Sequence, residues 1–200
     1  MMERPFASSP VYEEIKPTLS MEPKKFGMWL FLVSVVMIFA SLTSAYIVRK
    51  GDGNWLEFEL PPIFWVTSGI LLLSSVTMHI AYLSAKKDDL MLMRLFLLIT
   101  TLLGFVFLVT QYYAWVYLVK INVYFVGNPS GSFVYVLTGL HAAHLISALL
   151  YLFVMTWKGF TYKIHSKNLL GIELCATYWH FLDVLWIYLF VFLLLNHGNI

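Results

Sequence analysis

Five apolar stretches, each about the length needed to cross a bilayer, leave this chain few ways to fold. A spanning helix requires about 20 mostly apolar residues. Residues 26–48, 63–85, 95–119, 133–157 and 169–195 each meet that length. The separators are turn and charge signals: Gly51-Asp52-Gly53-Asn54 with Pro61-Pro62, then Lys86-Lys87-Asp88-Asp89, then Gly127-Asn128-Pro129-Ser130-Gly131. Only 12% of the 200 residues are charged against 60% hydrophobic, whereas soluble domains carry about 25% charged residues. The sequence therefore predicts an all-α bundle of five transmembrane helices at 26–200, preceded by a polar tail at 1–25. No internal repeat is visible.

Lysine and arginine orient the bundle. Arg4, Lys16, Lys24 and Lys25 precede the first span, Lys86, Lys87 and Arg94 follow the second, and Lys158, Lys163 and Lys167 follow the fourth. The opposite side carries only Arg49, Lys50 and Lys120. The positive-inside rule places the N-terminus in the cytoplasm and the C-terminus outside. Charged residues and prolines in the first 25 positions read as a cytoplasmic tail rather than an export signal.

Several function classes are excluded. A net charge of +2 without a basic stripe offers no nucleic-acid footprint. No Gly-x-Ser-x-Gly, phosphate-binding glycine loop or dinucleotide fingerprint occurs, so no catalytic residue is assigned. Cys175 is the single cysteine and sits in an apolar segment, which suits packing.

The remaining information lies in polar residues at membrane depth. An aspartate at the centre of a spanning helix costs roughly 2.5–3.5 kcal/mol on insertion scales. Asp183 therefore needs a partner, and His180 shares its helix face at i and i−3. Glu173 lies seven residues before His180, nearly on the same face. Span four offers His141 and His144 at overlapping depth, His79 lies in the inner third of span two, and His165 and His197 fall in a loop and a tail. Three readings fit: a buried structural network, a site for a lipid headgroup, a proton or a partner subunit, or a metal or haem site. Zinc or iron ligation is chemically open to two histidines and carboxylates, and bis-histidine haem requires His141 and His180 to face each other. Crowding by Phe, Tyr, Leu and Trp in spans four and five argues against a macrocycle. Small residues at Ser68, Gly69, Ser74, Ser75 and Thr77, and at Ser41, Ser44 and Ala45, predict close helix packing.

Taken together, YWHFLDVLWIYLF at 178–190, TGLHAAH at 138–144 and GMWLFL at 27–32 resemble subunit III of the haem–copper terminal oxidases. GFVFLVTQYYAW at 104–115, SSVT at 74–77 and Glu173 agree with that pattern. The resemblance covers 26–195 and is to the short, five-helix bacterial form. It implies a non-redox accessory subunit of the bacterial inner membrane, within a cytochrome c or quinol oxidase that reduces oxygen to water and pumps protons. Haem and copper would belong to partner subunits, with none in this chain. The implied partners are the catalytic subunit I, subunit II, other membrane subunits and phospholipid held in a cleft, with a role in proton uptake. On this reading His141, His144, Glu173 and His180 form the lipid or cleft network. Gly27, Trp29, Tyr178, Trp179, Asp183 and Trp186 serve helix or subunit packing, with Asp183 and Trp186 locking span five to its neighbour. Two acidic positions of the family are replaced here by Val35 and Ala114. A small b-type haem membrane anchor is the alternative reading; a transporter is disfavoured by the lack of repeats and interrupted helices.

Overall fold

The structure is a computed structural model that describes residues 22–161 and 169–197. It contains five helices: α1 (Pro23–Gly51), α2 (Ile63–Lys86), α3 (Leu90–Lys120), α4 (Pro129–Phe160) and α5 (Leu170–His197). Each is long and apolar enough to cross a membrane.

α1, α3 and α4 begin earlier than the apolar pattern predicts, the last two because residues expected in loops act as caps. Asp88 takes a positive φ of 58°, and the Asp89 side chain then accepts a hydrogen bond from the Leu92 amide at 3.1 Å. That starts α3 five residues before the expected position. Asn128 accepts from the Ser130 amide at 2.9 Å, and Pro129 occupies the first turn of α4, where its missing N–H costs nothing. At the far end α5 runs through His197, a residue expected in a tail. His165, Lys163 and Lys167 lie outside the described residues.

The α2–α3 hairpin packs along its length, α3 packs on α4, α4 on α5, and α5 closes back on α2. These four helices form a ring. α1 stands outside it and touches only α4 and α5 among the described helices.

Small residues explain the tightness of the ring. Ser68, Ser74, Thr77, Ala81, Ser84 and Ala85 bury the inner face of α2, and Thr77 and Thr100 hydroxyls meet at 2.9 Å across the hairpin. Gly104 on α3 is required by its neighbours: a Cβ there would lie 2.8 Å from both the Trp179 ring and a Leu149 methyl. The absent side chain is what lets the fully buried Trp179 ring fill the centre of the bundle.

α1 obeys a different rule. Leu32, Val35, Phe39, Thr43 and Tyr46 form one buried stripe, and most other side chains of the helix are exposed. Ser41, Ser44 and Ala45 lie on that exposed surface, contrary to the expectation of close packing; Gly69 of α2 is exposed too, with nothing within 4 Å of a Cβ added there. Small residues permit close approach but do not compel it, and no second helix among the described residues faces them.

Candidate functional site

α5 is the hub, and its polar side chains reach three different neighbours. Toward α2, the Trp179 indole N–H donates to Ser74 Oγ at 3.1 Å and the Trp186 indole N–H to Ser68 Oγ at 3.0 Å. Each serine passes its own hydroxyl proton back to its helix, Ser74 to the Leu71 carbonyl and Ser68 to that of Phe64. Both indoles are thereby satisfied where water is excluded. Toward α4, the Tyr178 hydroxyl meets Ser147 Oγ at 2.7 Å and donates to the His144 carbonyl at 3.1 Å. Toward α1, Glu173 Oε1 accepts from Lys25 Nζ at 2.8 Å.

The four residues expected to form one network are therefore dispersed. His141 is fully buried inside the ring, its imidazole 5.0 Å from the Trp186 ring and 5.9 Å from Phe107. His144 turns toward α1, between Phe31 and Phe39, and its Nδ1 bonds the Leu140 carbonyl of its own helix. His180 turns toward α2, where Nδ1 and Ser75 Oγ lie 2.7 Å apart. Glu173 and His180 share a helical face, yet Glu173 meets α1 and His180 meets α2. The face fixes a direction only to within the drift of an α-helix over seven residues, and the long Lys25 side chain supplies the rest of the reach. His141 and His180 do not face each other, so the geometry required of a bis-histidine haem is not formed.

Asp183 is 3% exposed. Its carboxylate sits beside Ser75 and 3.9 Å from His180 Nδ1, and neither oxygen has a hydrogen-bond partner among the described residues. Of the residues expected to pack, Tyr178, Trp179, Asp183 and Trp186 are buried. Gly27 and Trp29 are exposed, Trp29 by 56%, and no described residue lies within 4 Å of a Cβ added at Gly27. Val35 and Ala114, which the resemblance sets at two acidic positions of the family, are both buried.

Sequence reasoning missed a second set of contacts, which ties α1 to α5 at its other end. Tyr46 hydroxyl and His197 Nε2 lie 2.7 Å apart, Lys50 Nζ donates to the Asn196 carbonyl at 2.9 Å, and Thr43 and Tyr188 hydroxyls lie 3.0 Å apart. Trp55 and Phe58 of the α1–α2 loop cover this cluster, the Phe58 ring 4.4 Å from that of His197. Between these clasps and the Lys25–Glu173 pair lies an apolar cavity of about 400 Å³, lined by Val36, Phe39 and Ala40 of α1 and Phe181, Val184, Leu185 and Tyr188 of α5. The available signal was similar spacing: Lys25 to Tyr46 and their partners Glu173 to His197 cover comparable lengths on two parallel helices.

The residue pattern described as cytochrome c oxidase subunit III matches positions 56–197. This chain belongs to that family. The matched segment starts in the α1–α2 loop and takes in α2 to α5, the four helices of the ring. Relatives extend across α1 as well. A cytochrome c oxidase subunit 3 of Bacillus sp. (strain PS3) is 31% identical over 90% of this chain and 89% of its own. A second, from Corynebacterium diphtheriae, is 32% identical over 82% and 84%. A probable quinol oxidase subunit 3 of Staphylococcus saprophyticus is 29% identical over 83% and 85%. The five apolar helices and this membership make the chain a multi-pass protein of the bacterial inner membrane and a non-redox accessory subunit of a multi-subunit terminal oxidase. Membership in this family disfavours the haem-anchor alternative.

Proposed function

We propose that this subunit packs on the catalytic subunit I, beside subunit II and other membrane subunits, and holds phospholipid that keeps the complex stable and supplied with protons as it reduces oxygen. The observation that carries the lipid reading is the α1–α5 seam. Its middle is an apolar cavity lined by hydrocarbon and aromatic side chains, and polar clasps at both ends keep the two helices a fixed distance apart. An acyl chain fits such a lining. With the N-terminus in the cytoplasm, Lys25 and Glu173 lie at the headgroup level of the inner leaflet, where a lysine amine suits a lipid phosphate.

Within this reading the expected network divides by location. Glu173 belongs to the lipid seam, and His144 faces the helix that forms its other wall. His141 supports the inside of the ring, and His180 serves the opposite flank of α5. The haem and copper of the oxidase reside in partner subunits, and proton uptake is supported through the stability of the assembly rather than by a redox centre in this chain.

The test is the phospholipid content of the intact purified oxidase, measured by native mass spectrometry, with Lys25→Ala and with Val184→Trp, which fills the seam. Both variants should lose bound lipid and shorten the period of sustained turnover while leaving the initial rate near normal. Unchanged lipid content in both would refute the assignment.

A further inference from the structure

Among the described residues inside the helices, His79 is an ionisable side chain that neither the fold nor the lipid seam uses. It lies on the exposed surface of α2, with its ring centroid 6.0 Å from that of His180 on α5. His180 is one-third exposed, and behind it lies the buried, unpartnered carboxylate of Asp183. Two imidazoles therefore face outward across the α2–α5 seam, on the flank of α5 away from α1.

Their depth is the difficulty. At 1.5 Å per residue, His79 lies about 10 Å inside the Lys86 end of α2, and His180 lies about 15 Å from the start of α5. Acyl chains offer no hydrogen-bonding group at that level, and headgroups lie beyond it. Ionisable side chains in spanning helices almost always face protein or a water-filled cavity. Neither requirement is met among the described residues: α1 packs on α4 and α5 and does not reach α2. His180 Nδ1 is engaged by Ser75, while its Nε2 and both nitrogens of His79 make no hydrogen bond among the described residues. The surface around them suits a helix: Val76 and Leu83, one turn to either side of His79, form an exposed apolar ridge.

We propose that the α2–α5 seam at His79 and His180 is a docking surface for a transmembrane helix of another subunit of the same oxidase, one that presents a side-chain oxygen to the two imidazoles. The pairing is polar because an interhelical hydrogen bond within the bilayer has no water to compete with it. The proposal rests on membership in a multi-subunit oxidase and is independent of the lipid reading, whose cavity lies on the other flank of α5.

A photo-crosslinking amino acid placed at Val76 or Leu83, in cells assembling the whole oxidase, tests it. Irradiation should join this chain to a transmembrane helix of another oxidase subunit, at a position within one turn of a side-chain oxygen. In parallel, His79→Leu should lower the fraction of this subunit retained in the detergent-washed complex at least fivefold, and His79→Gln, which keeps a donor, should restore it. Adducts with lipid alone, or with a second copy of this chain, would overturn the proposal. So would undiminished retention of the His79→Leu subunit. Lipid counts at the α1–α5 seam should not change in either variant, which separates failure here from failure of the lipid assignment.

Discussion

The ring of α2 to α5 and the lone helix α1 have similar apolar composition but are held by different physics. In the ring, glycine, serine and threonine bring backbones close, and large aromatics fill the remaining space: Trp179 against Gly104, and Trp186 against Phe107 and His141. In α1 a single stripe makes contact, and polar clasps at the two ends do much of the work. Lipid removes the hydrophobic driving force between helices, so association depends on close packing and hydrogen bonds. Where both operate, the result is a rigid ring. Where contact is sparse, a cavity remains.

The comparison breaks most visibly at Gly104. Gly104→Leu must displace Trp179 and Leu149 from the bundle centre, and overpacking of this kind costs roughly 1–3 kcal/mol or more. The variant subunit should be missing from the purified oxidase; normal incorporation would show that the ring tolerates expansion. Next is Asp183→Ala, which removes the buried carboxylate beside His180. It should weaken retention of the subunit several-fold more than Asp183→Asn does, with turnover per assembled complex little changed. A fully assembled complex without activity would contradict the structural role.

A smaller effect sharpens the account of the hydrogen bonds. A double-mutant cycle of Ser68→Ala with Trp186→Phe, read by thermal dissociation of the subunit, should give a coupling of about 0.6 kcal/mol and no more than about 1.7, the range for interhelical bonds in membranes. Zero coupling would mean that the indole finds another acceptor. The smallest effect belongs to the Lys25–Glu173 pair, whose side chains are 35% and 38% exposed. Lys25→Ala should raise hydrogen exchange in the first turns of α1 while the ring stays protected, because a solvent-exposed ion pair contributes little. Loss of protection throughout the ring would show that the two regions are not separable.

The sequence exposed some of this arrangement and hid the rest, for reasons visible in single residues. Asp89 and Asn128 sit beside charge and turn signals, and a polar residue before an apolar run reads equally well as loop or as cap. His197 lies next to the chain end and reads as tail, yet its partner Tyr46 is 151 positions away. Spacing along the helices suggests overlapping depths for His141, His144, Glu173 and His180; Glu173 sits in the first turn of α5, and the three histidines lie further from a helix end. Spacing on a helix gives depth and angle but not the identity of the neighbour that fills each direction. Ser41, Ser44 and Ala45 illustrate the same limit, since small residues mark a surface that permits packing whether or not another helix is there.

What the chain order alone determined was the solvent and the number of crossings, because apolar run length is a local quantity. The motifs likewise pointed to the family that the comparisons bear out. Only the tertiary structure decided that four helices close into a ring, that α1 stands outside it, and that α5 turns Glu173 to α1 and His180 to α2. Those outcomes depend on which surfaces fit at contact distance, and contact between helices far apart in sequence is not a local property.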